Sequence, residues 1–277
     1  MIKLIALDLD GTTLNREGQL SPKTKKVIEA AIARGTEVVI ATGRVLSALP
    51  EDVLTMKGLH YAITSNGANT VDMKSDQSIY TNLIDEKIVE HIIKTLKKYE
   101  FMTEVFTNGN AYIEEAVYNE IRKNGSPFHN TSYLLTTREP VAGLFEYILA
   151  HRKTIENINL NFENPKDRIM MKDVLTHLAG IAVTSSFNYN LEICGSGVSK
   201  ADALKWLCNM LNLTSNEVMA CGDSDNDIEM LKYAGLSIAV ENANERVKKV
   251  AGCIAPANDE NGVAEAIERL ILSEKNY

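Results

Sequence analysis

Two aspartates one residue apart, Asp8 and Asp10, stand just before a glycine in the segment Asp8-Leu9-Asp10-Gly11-Thr12. Strand alternation starts both carboxylates on the same side of the backbone, and the turn at Gly11 lets them splay apart. Close carboxylates repel, so one holds a proton or a cation joins them. Either outcome suits phosphoryl chemistry: an ionised aspartate can attack phosphorus, and a neighbour of raised pKa can protonate the departing oxygen. A second acidic group, Asp223-Ser224-Asp225-Asn226-Asp227, places several oxygens around one point, as a hard divalent cation requires. Asp8, Asp223 and a backbone carbonyl would suffice for magnesium, which keeps waters and a phosphate oxygen. A calcium loop fits less well, because the expected Gly and distal Glu are missing. Thr42 precedes Gly43, so its hydroxyl and the nearby backbone N–H groups can hold phosphate oxygens. Lys200 lies just inside a predicted helix N-terminus, where the dipole disfavours a cation, and this placement calls for an anion nearby.

Taken singly, each signal has an ordinary explanation: acids cap turns and helix N-termini, and lysines cover surfaces. The elements that carry them make the difference. Ile2 to Leu9 reads as a buried strand that delivers carboxylates into a loop. Ser21-Pro22 opens a helix that Gly35 closes, and Glu37 to Ala41 is a second buried strand, ending at Thr42-Gly43-Arg44. Tyr61 to Thr64 is a third, ending at Asn66-Gly67. After a long interval, Ser199 caps a helix through Leu211, and Glu217 to Cys221 is a strand ending at Gly222-Asp223. Leu236 to Val240 is another strand, and a last helix covers Val263 to Leu272. Strands alternating with helices predict an α/β fold, a Rossmann-like parallel sheet covered on both faces. In such sheets ligands bind beyond the carboxyl ends of the strands, and every residue singled out above ends a strand or opens the following helix. Neighbouring strands would bring them into one crevice.

The interval itself has a different grammar. A helix from Asp85 to Tyr99 precedes Met102 to Phe106 and Ala111 to Ile113, which flank Asn108-Gly109, a strong hairpin signal. Ile155 to Phe162 and Ile181 to Leu191 read as further strands, with a helix from Pro165 to Leu178 between them. This pattern predicts an inserted α+β domain, an antiparallel sheet with helices on one side. The expected division is a core domain over 1–83 and 190–277 and an inserted domain over 84–189.

Composition restricts the partners. The 277 residues are 45% hydrophobic and 24% charged, ordinary for a globular protein, with a net charge of −8. That charge, and the lack of a Lys/Arg cluster, argue against nucleic acid. No apolar run approaches membrane-spanning length. The four cysteines have no CxxC spacing and lie in apolar segments, which fits small buried thiols and a reducing cytoplasm.

In order, Asp-x-Asp-Gly-Thr, Thr-Gly, Lys and Gly-Asp-x-x-Asn-Asp resemble the four motifs of the haloacid dehalogenase-like (HAD) superfamily. The insert between the third strand and the motif lysine resembles the type IIB cap of Cof-type phosphatases. Ala41-Thr42-Gly43-Arg44, Ser65-Asn66-Gly67-Ala68, Gly222 to Asp227 and Asn261-Gly262-Val263-Ala264 are similar to that subfamily too. The resemblance spans essentially the whole chain and implies a hydrolase of phosphoric monoesters. It implies that Asp8 is the nucleophile and that Asp10 is the acid/base. Mg²⁺ would be held by Asp8, the Asp10 carbonyl and Asp223. Thr42, Gly43, Lys200 and Asn226 would meet the phosphoryl group, with Asp227 orienting Lys200 or a metal-bound water. Arg44 and Asn66 are further candidates for substrate contact. The expected ligand is a small phosphorylated metabolite, sugar phosphates leading, selected by the cap. A phosphosugar mutase shares both aspartates, and a non-catalytic phosphometabolite sensor would be expected to lose one of them.

Overall fold

A computed structural model describes residues 1–273. The chain divides into two compact units, residues 1–44, 49–81 and 199 onward in one, residues 45–48 and 82–198 in the other. The first unit holds β1 (Leu4–Leu7), β2 (Glu37–Ala41), β3 (Tyr61–Thr64), β4 (Asn69–Asp72) and β5 (Gln77–Thr81). The inserted unit adds β6 (Met102–Thr107), β7 (Asn110–Glu114), β8 (Arg138–Val141), β9 (Ile155–Asn161), β10 (Ile181–Thr184) and β11 (Asn190–Gly195). The first then resumes with β12 (Val218–Gly222), β13 (Leu236–Val240) and β14 (Cys253–Ala255).

The first unit's sheet runs β14-β13-β12-β1-β2-β3-β4-β5, parallel from β14 to β3. Its parallel strands follow the doubly wound order, with the chain leaving β1 in one direction through β2 and β3 and in the other through β12. The switch point therefore lies between β1 and β12, whose residues pair from Leu4 with Val218 to Leu7 with Cys221. Both strands are buried along their whole length, which is why they read as continuous apolar runs. Helix starts follow the local chemistry. Ser21 accepts the Thr24 N–H and Pro22 follows it, while Ser199 accepts the Asp202 N–H at the head of the helix Lys200–Met210. The antiparallel pair β4–β5 extends the sheet beyond the strands the sequence pattern predicts. These strands are short, and Gln77–Thr81 is largely exposed, so they lack the apolar run that marks the others.

The inserted unit's sheet runs β10-β11-β9-β6-β7-β8. The hairpin at Asn108-Gly109 is present, with both residues at positive φ. Three expectations change. β8 pairs parallel to β7, so the sheet is mixed rather than purely antiparallel. The helices Glu86–Leu96, Leu144–Ala150 and Pro165–Thr176 supply Val89, Ile92, Ile148, Met171 and Leu175 to the core on one face. Two more, Glu115–Asn124 and Thr131–Thr137, add Ile121 and Leu134 to a separate cluster around Ile113, on the opposite side of β7 from Tyr112. Finally, Ile181 to Leu191 is two strands joined by a loop, and β11 belongs to the inserted sheet, pairing with both β9 and β10. The second boundary therefore moves from 190 to 199.

No helix among the described residues is long and apolar enough to cross a membrane. None of the four cysteines is in a disulfide.

Gly67 is one position where no other residue fits. Its φ is +96°, and a Cβ there would stand 2.2 Å from the carbonyl oxygen of Ser199, at the head of the Lys200 helix. Gly67→Ala is expected to destabilise the protein by roughly 2–4 kcal/mol in denaturant unfolding; an unchanged midpoint would show that the two segments can separate freely.

Candidate active site

Every site residue expected from sequence lies in the first unit. Asp8 follows β1, and its N–H bonds to the Cys221 carbonyl of β12. Leu9 to Thr13 then form one wide turn, with Gly11 at φ +78°. A Cβ on Gly11 would lie 2.7 Å from Asp223 Oδ2, so the glycine is what lets the two acidic loops come together. After β12, Asp223 leads into a short turn, Asp225–Asp227, where Ser224 and Asp227 form a capping box. Asp227 Oδ2 accepts the N–H groups of both Asp223 and Ser224 at 3.0 Å. Asp223 is braced by hydroxyls, with Thr12 Oγ1 donating at 2.8 Å and Ser224 Oγ at 2.9 Å.

Lys200 stands at the centre. It is fully buried, and its Nζ donates to Asp8 Oδ1 at 2.6 Å and to Asp227 Oδ1 at 2.8 Å. The anion that its unfavourable position at a helix N-terminus called for is thus a pair of carboxylates. Burial alone would push Lys200 toward neutrality, but Asp227 and Asp8 more than offset it and hold the ammonium above the ordinary lysine range. The carboxylates pay the other side of the balance. Burial pushes Asp8 well above the ordinary carboxyl range, Asp227 and Asp223 add to this, and Lys200 opposes it. Burial and then Asp227 push Asp223 up to about 6, against the hydroxyls of Thr12 and Ser224.

One ammonium therefore faces three carboxylates. Oxygens of Asp8, Asp223 and Asp227 all lie within 4.8 Å of one another, close enough to hold a single metal ion. Hard oxygen donors, a deficit of positive charge and raised carboxyl pKa values are the properties of a divalent-cation site of the Mg²⁺ type. Asp227 is more closely tied to Lys200 and the loop N–H groups, so Asp8 and Asp223 are the better-placed ligands.

Asp10 points elsewhere. Arg44 grips its carboxylate with two bonds, Nε to Oδ2 at 2.8 Å and a terminal guanidinium nitrogen to Oδ1 at 2.6 Å. Arg44 was expected against substrate; here its fork is an ion pair on Asp10, with geometry that suits a planar carboxylate. Thr42 is 1% exposed, and its Oγ1 accepts the Arg44 N–H at 3.1 Å across the bend at Gly43. The Asn66 N–H bonds to the Thr42 carbonyl, and the Asn66 side chain accepts from Asn226 Nδ2 at 2.9 Å. The loops after β1, β2, β3 and β12 are thereby linked. The sequence argument gave no role to Thr12, Ser224 or Asn242, whose Nδ2 donates to the Gly11 carbonyl at 2.7 Å. Thr12 and Ser224 adjoin the motif aspartates, which was a usable signal; Asn242 offered none.

The sequence profile of the haloacid dehalogenase-like hydrolases matches residues 5–267. The chain is 32% identical to the 5-amino-6-(5-phospho-D-ribitylamino)uracil phosphatase YcsE of Bacillus subtilis, over 98% of this chain and 96% of that protein. A solved haloacid dehalogenase-like hydrolase from B. subtilis superposes with a TM-score of 0.83 at 29% identity, covering 98% of this chain and all of that one. A solved subclass IIB sugar phosphatase shares the fold, with a TM-score of 0.81 at 23% identity, covering 96% and 98% of the two chains. This chain belongs to the haloacid dehalogenase-like hydrolases. Within them it falls in the Cof-type phosphatase branch, whose enzymes are hydrolases of phosphoric monoesters.

The charge balance makes a prediction about stability. A carboxyl whose folded pKa lies above its unfolded value contributes stability that is fully present below the unfolded pKa and lost as pH rises through the folded one. For Asp223 that window runs from about 4, its unfolded value, to about 6. Without metal, Asp223→Asn should therefore unfold at a higher temperature than the parent at pH 7.5, with the gain gone near pH 4. Thermal scans in EDTA at both pH values test it, and a destabilised variant at pH 7.5 would contradict the assigned balance.

Proposed function

We propose that the protein is a Mg²⁺-dependent phosphatase that hydrolyses small phosphomonoesters through an aspartyl-phosphate at Asp8. The observation that carries this reading is the buried ammonium of Lys200 bonded to Asp8 and Asp227, with Asp223 inside the same cluster. Lys200 fixes the Asp8 carboxylate by one oxygen and favours its ionised form against the burial that opposes it, and that form attacks the phosphorus of a bound monoester in line. As the bond from phosphorus to the ester oxygen breaks, Asp10 delivers a proton to that oxygen. It then takes one from the water that hydrolyses the Asp8 acyl phosphate, returning Asp8 to a free carboxylate and releasing inorganic phosphate. Arg44 holds Asp10 with two bonds that fix its orientation, and Asp10 must loosen from Arg44 and take up a proton from solvent before it can act as an acid.

Thr42, the N–H groups around Gly43, and Asn226 orient the phosphoryl oxygens, with Asn66 setting the Asn226 amide through their hydrogen bond. Asp227 works through Lys200, placing its ammonium against Asp8. Mg²⁺, held by Asp8, the Asp10 carbonyl and Asp223, would supply positive charge to neutralise the phosphoryl group and the attacking carboxylate.

The inserted unit is the part that would select the substrate, as a type IIB cap. Small phosphorylated metabolites are the class, with sugar phosphates leading. The named substrate of YcsE, a phosphorylated ribitylamino compound, supports a polyol or sugar attached to the phosphate. A phosphosugar mutase would use the same two aspartates, but the phosphatase name of that relative favours hydrolysis. Cysteines without disulfides suit a reducing cytoplasm.

A panel of phosphorylated sugars assayed for free phosphate tests this reading. Release should need Mg²⁺ and stop in EDTA, and Asp8→Asn should lose activity by at least about a thousandfold while keeping its fold. Parent-like turnover by Asp8→Asn would overturn the assignment, and a requirement for a bisphosphate activator would point to the mutase.

A further inference from the structure

Gly11 is needed where the two acidic loops meet, and it leaves the backbone soft at that point. Asp10, at φ −73° and ψ 121°, and Gly11, at φ 78° and ψ −6°, are the central residues of a type II turn. A Cβ on Gly11 would strike Asp223, so no side chain restrains the dihedrals on either side of it. Groups assigned to the metal depend on both of its neighbours. The Asp10 carbonyl comes immediately before Gly11, and Thr12, immediately after it, donates its hydroxyl to Asp223 Oδ1 at 2.8 Å. Rotation about Gly11 would therefore displace the Asp10 carbonyl and Asp223 relative to each other.

The restraint comes from outside the turn. Asn242 Nδ2 donates to the Gly11 carbonyl at 2.7 Å. Asn242 follows β13, in a tight loop closed by the Ala243 N–H on the Val240 carbonyl at 2.9 Å. From the same loop the Asn244 N–H donates to the Asp223 carbonyl at 3.1 Å, so one short segment holds both acidic loops. The Asn258 N–H donates to Asn242 Oδ1 at 2.9 Å, which sets the end of the amide that faces Gly11. Asn258 Nδ2 in turn holds the Leu14 carbonyl, just past the wide turn, at 2.8 Å. Asn242 is exposed, so water competes for its hydrogen bonds and their net contribution to stability is small. The bond to Gly11 supplies direction instead.

We propose that Asn242 is a positioning residue for the metal site: by holding the Gly11 carbonyl, it keeps the Asp10 carbonyl and, through Thr12, the Asp223 carboxylate in one mutual arrangement. This rests on the Mg²⁺ reading given above and assigns the loop after β13 as a support of that site, beside the loops after β1 and β12. Asn258 acts one step further out, by orienting the Asn242 amide.

Calorimetric titration of Mg²⁺ into the metal-free full chain, with no substrate present, tests this. Asn242→Ala should weaken Mg²⁺ binding about tenfold. Its thermal midpoint in EDTA should shift by less than about 3 °C. Asp259→Ala is the control, because its carboxylate ties the loop of Asn258 to Arg16, accepting the Arg16 N–H at 2.9 Å and pairing with Nε at 2.6 Å. That change loosens the same neighbourhood but spares the bond to Gly11, so Mg²⁺ affinity should stay within about twofold of the parent's. Unchanged affinity in Asn242→Ala, an equal loss in Asp259→Ala, or a midpoint that falls further than stated would overturn the proposal and make the bond a general brace. A parent that takes up no Mg²⁺ would overturn the proposal together with the metal of the reading above. A parent that binds Mg²⁺ but releases phosphate from no ester would sink the phosphatase alone, and the titration would still decide the role of Asn242.

Discussion

The structure turns on one ammonium group. Lys200 is sealed from water between Asp8 and Asp227, and the loops that carry these three residues come from three separate stretches of the chain. A buried ion pair contributes little net stability, but removing one partner leaves a bare charge and costs about 3–5 kcal/mol. The lysine therefore ties β1, β12 and the helix Lys200–Met210 into a single arrangement and penalises any other. Because three carboxylates share one lysine, the arrangement also remains short of positive charge. The chemistry follows from that shortage. A site that over-packs negative charge is ready to take up a divalent cation.

The fold determines where this can happen. The doubly wound order puts its switch point between β1 and β12, where Asp8 and Asp223 emerge side by side. Gly11 keeps the two loops close by having no side chain, and Gly67 does the same for the loop after β3 and the start of the Lys200 helix. The acid/base candidate is held apart from this cluster by Arg44. Two aspartates two positions apart thereby meet opposite surroundings, one against a lysine and acids, the other against a guanidinium.

The core was legible because its strands are buried on both sides and end in polar residues, a pattern that survives in one dimension. The seats of Asp8, Lys200 and Asp223 follow from it, since strand ends in a parallel sheet must meet at one edge. What escaped has physical reasons. The hairpin β4–β5 is short, polar and at an edge, so no apolar period announces it. Residues 115–154 carry helices with a single buried side chain each in two cases, and a strand that contains Pro140. The loop Ser185–Tyr189 has no Gly or Pro, so β10 and β11 read as one strand and the boundary fell too early. Arg44 was visible as a charged residue after a strand, but its partner Asp10 lies 34 positions away, and only the packed sheet brings them together.

Direct detection of the covalent intermediate tests the central claim most sharply. The Asp10→Asn protein, mixed with Mg²⁺ and a ³²P-labelled sugar phosphate and quenched in acid, should carry label on a single peptide. Borohydride reduction of that acyl phosphate should convert residue 8, and no other aspartate, to homoserine. Label on Asp10, Asp223 or Asp227, or phosphate released with no labelled protein at any time, would contradict the account.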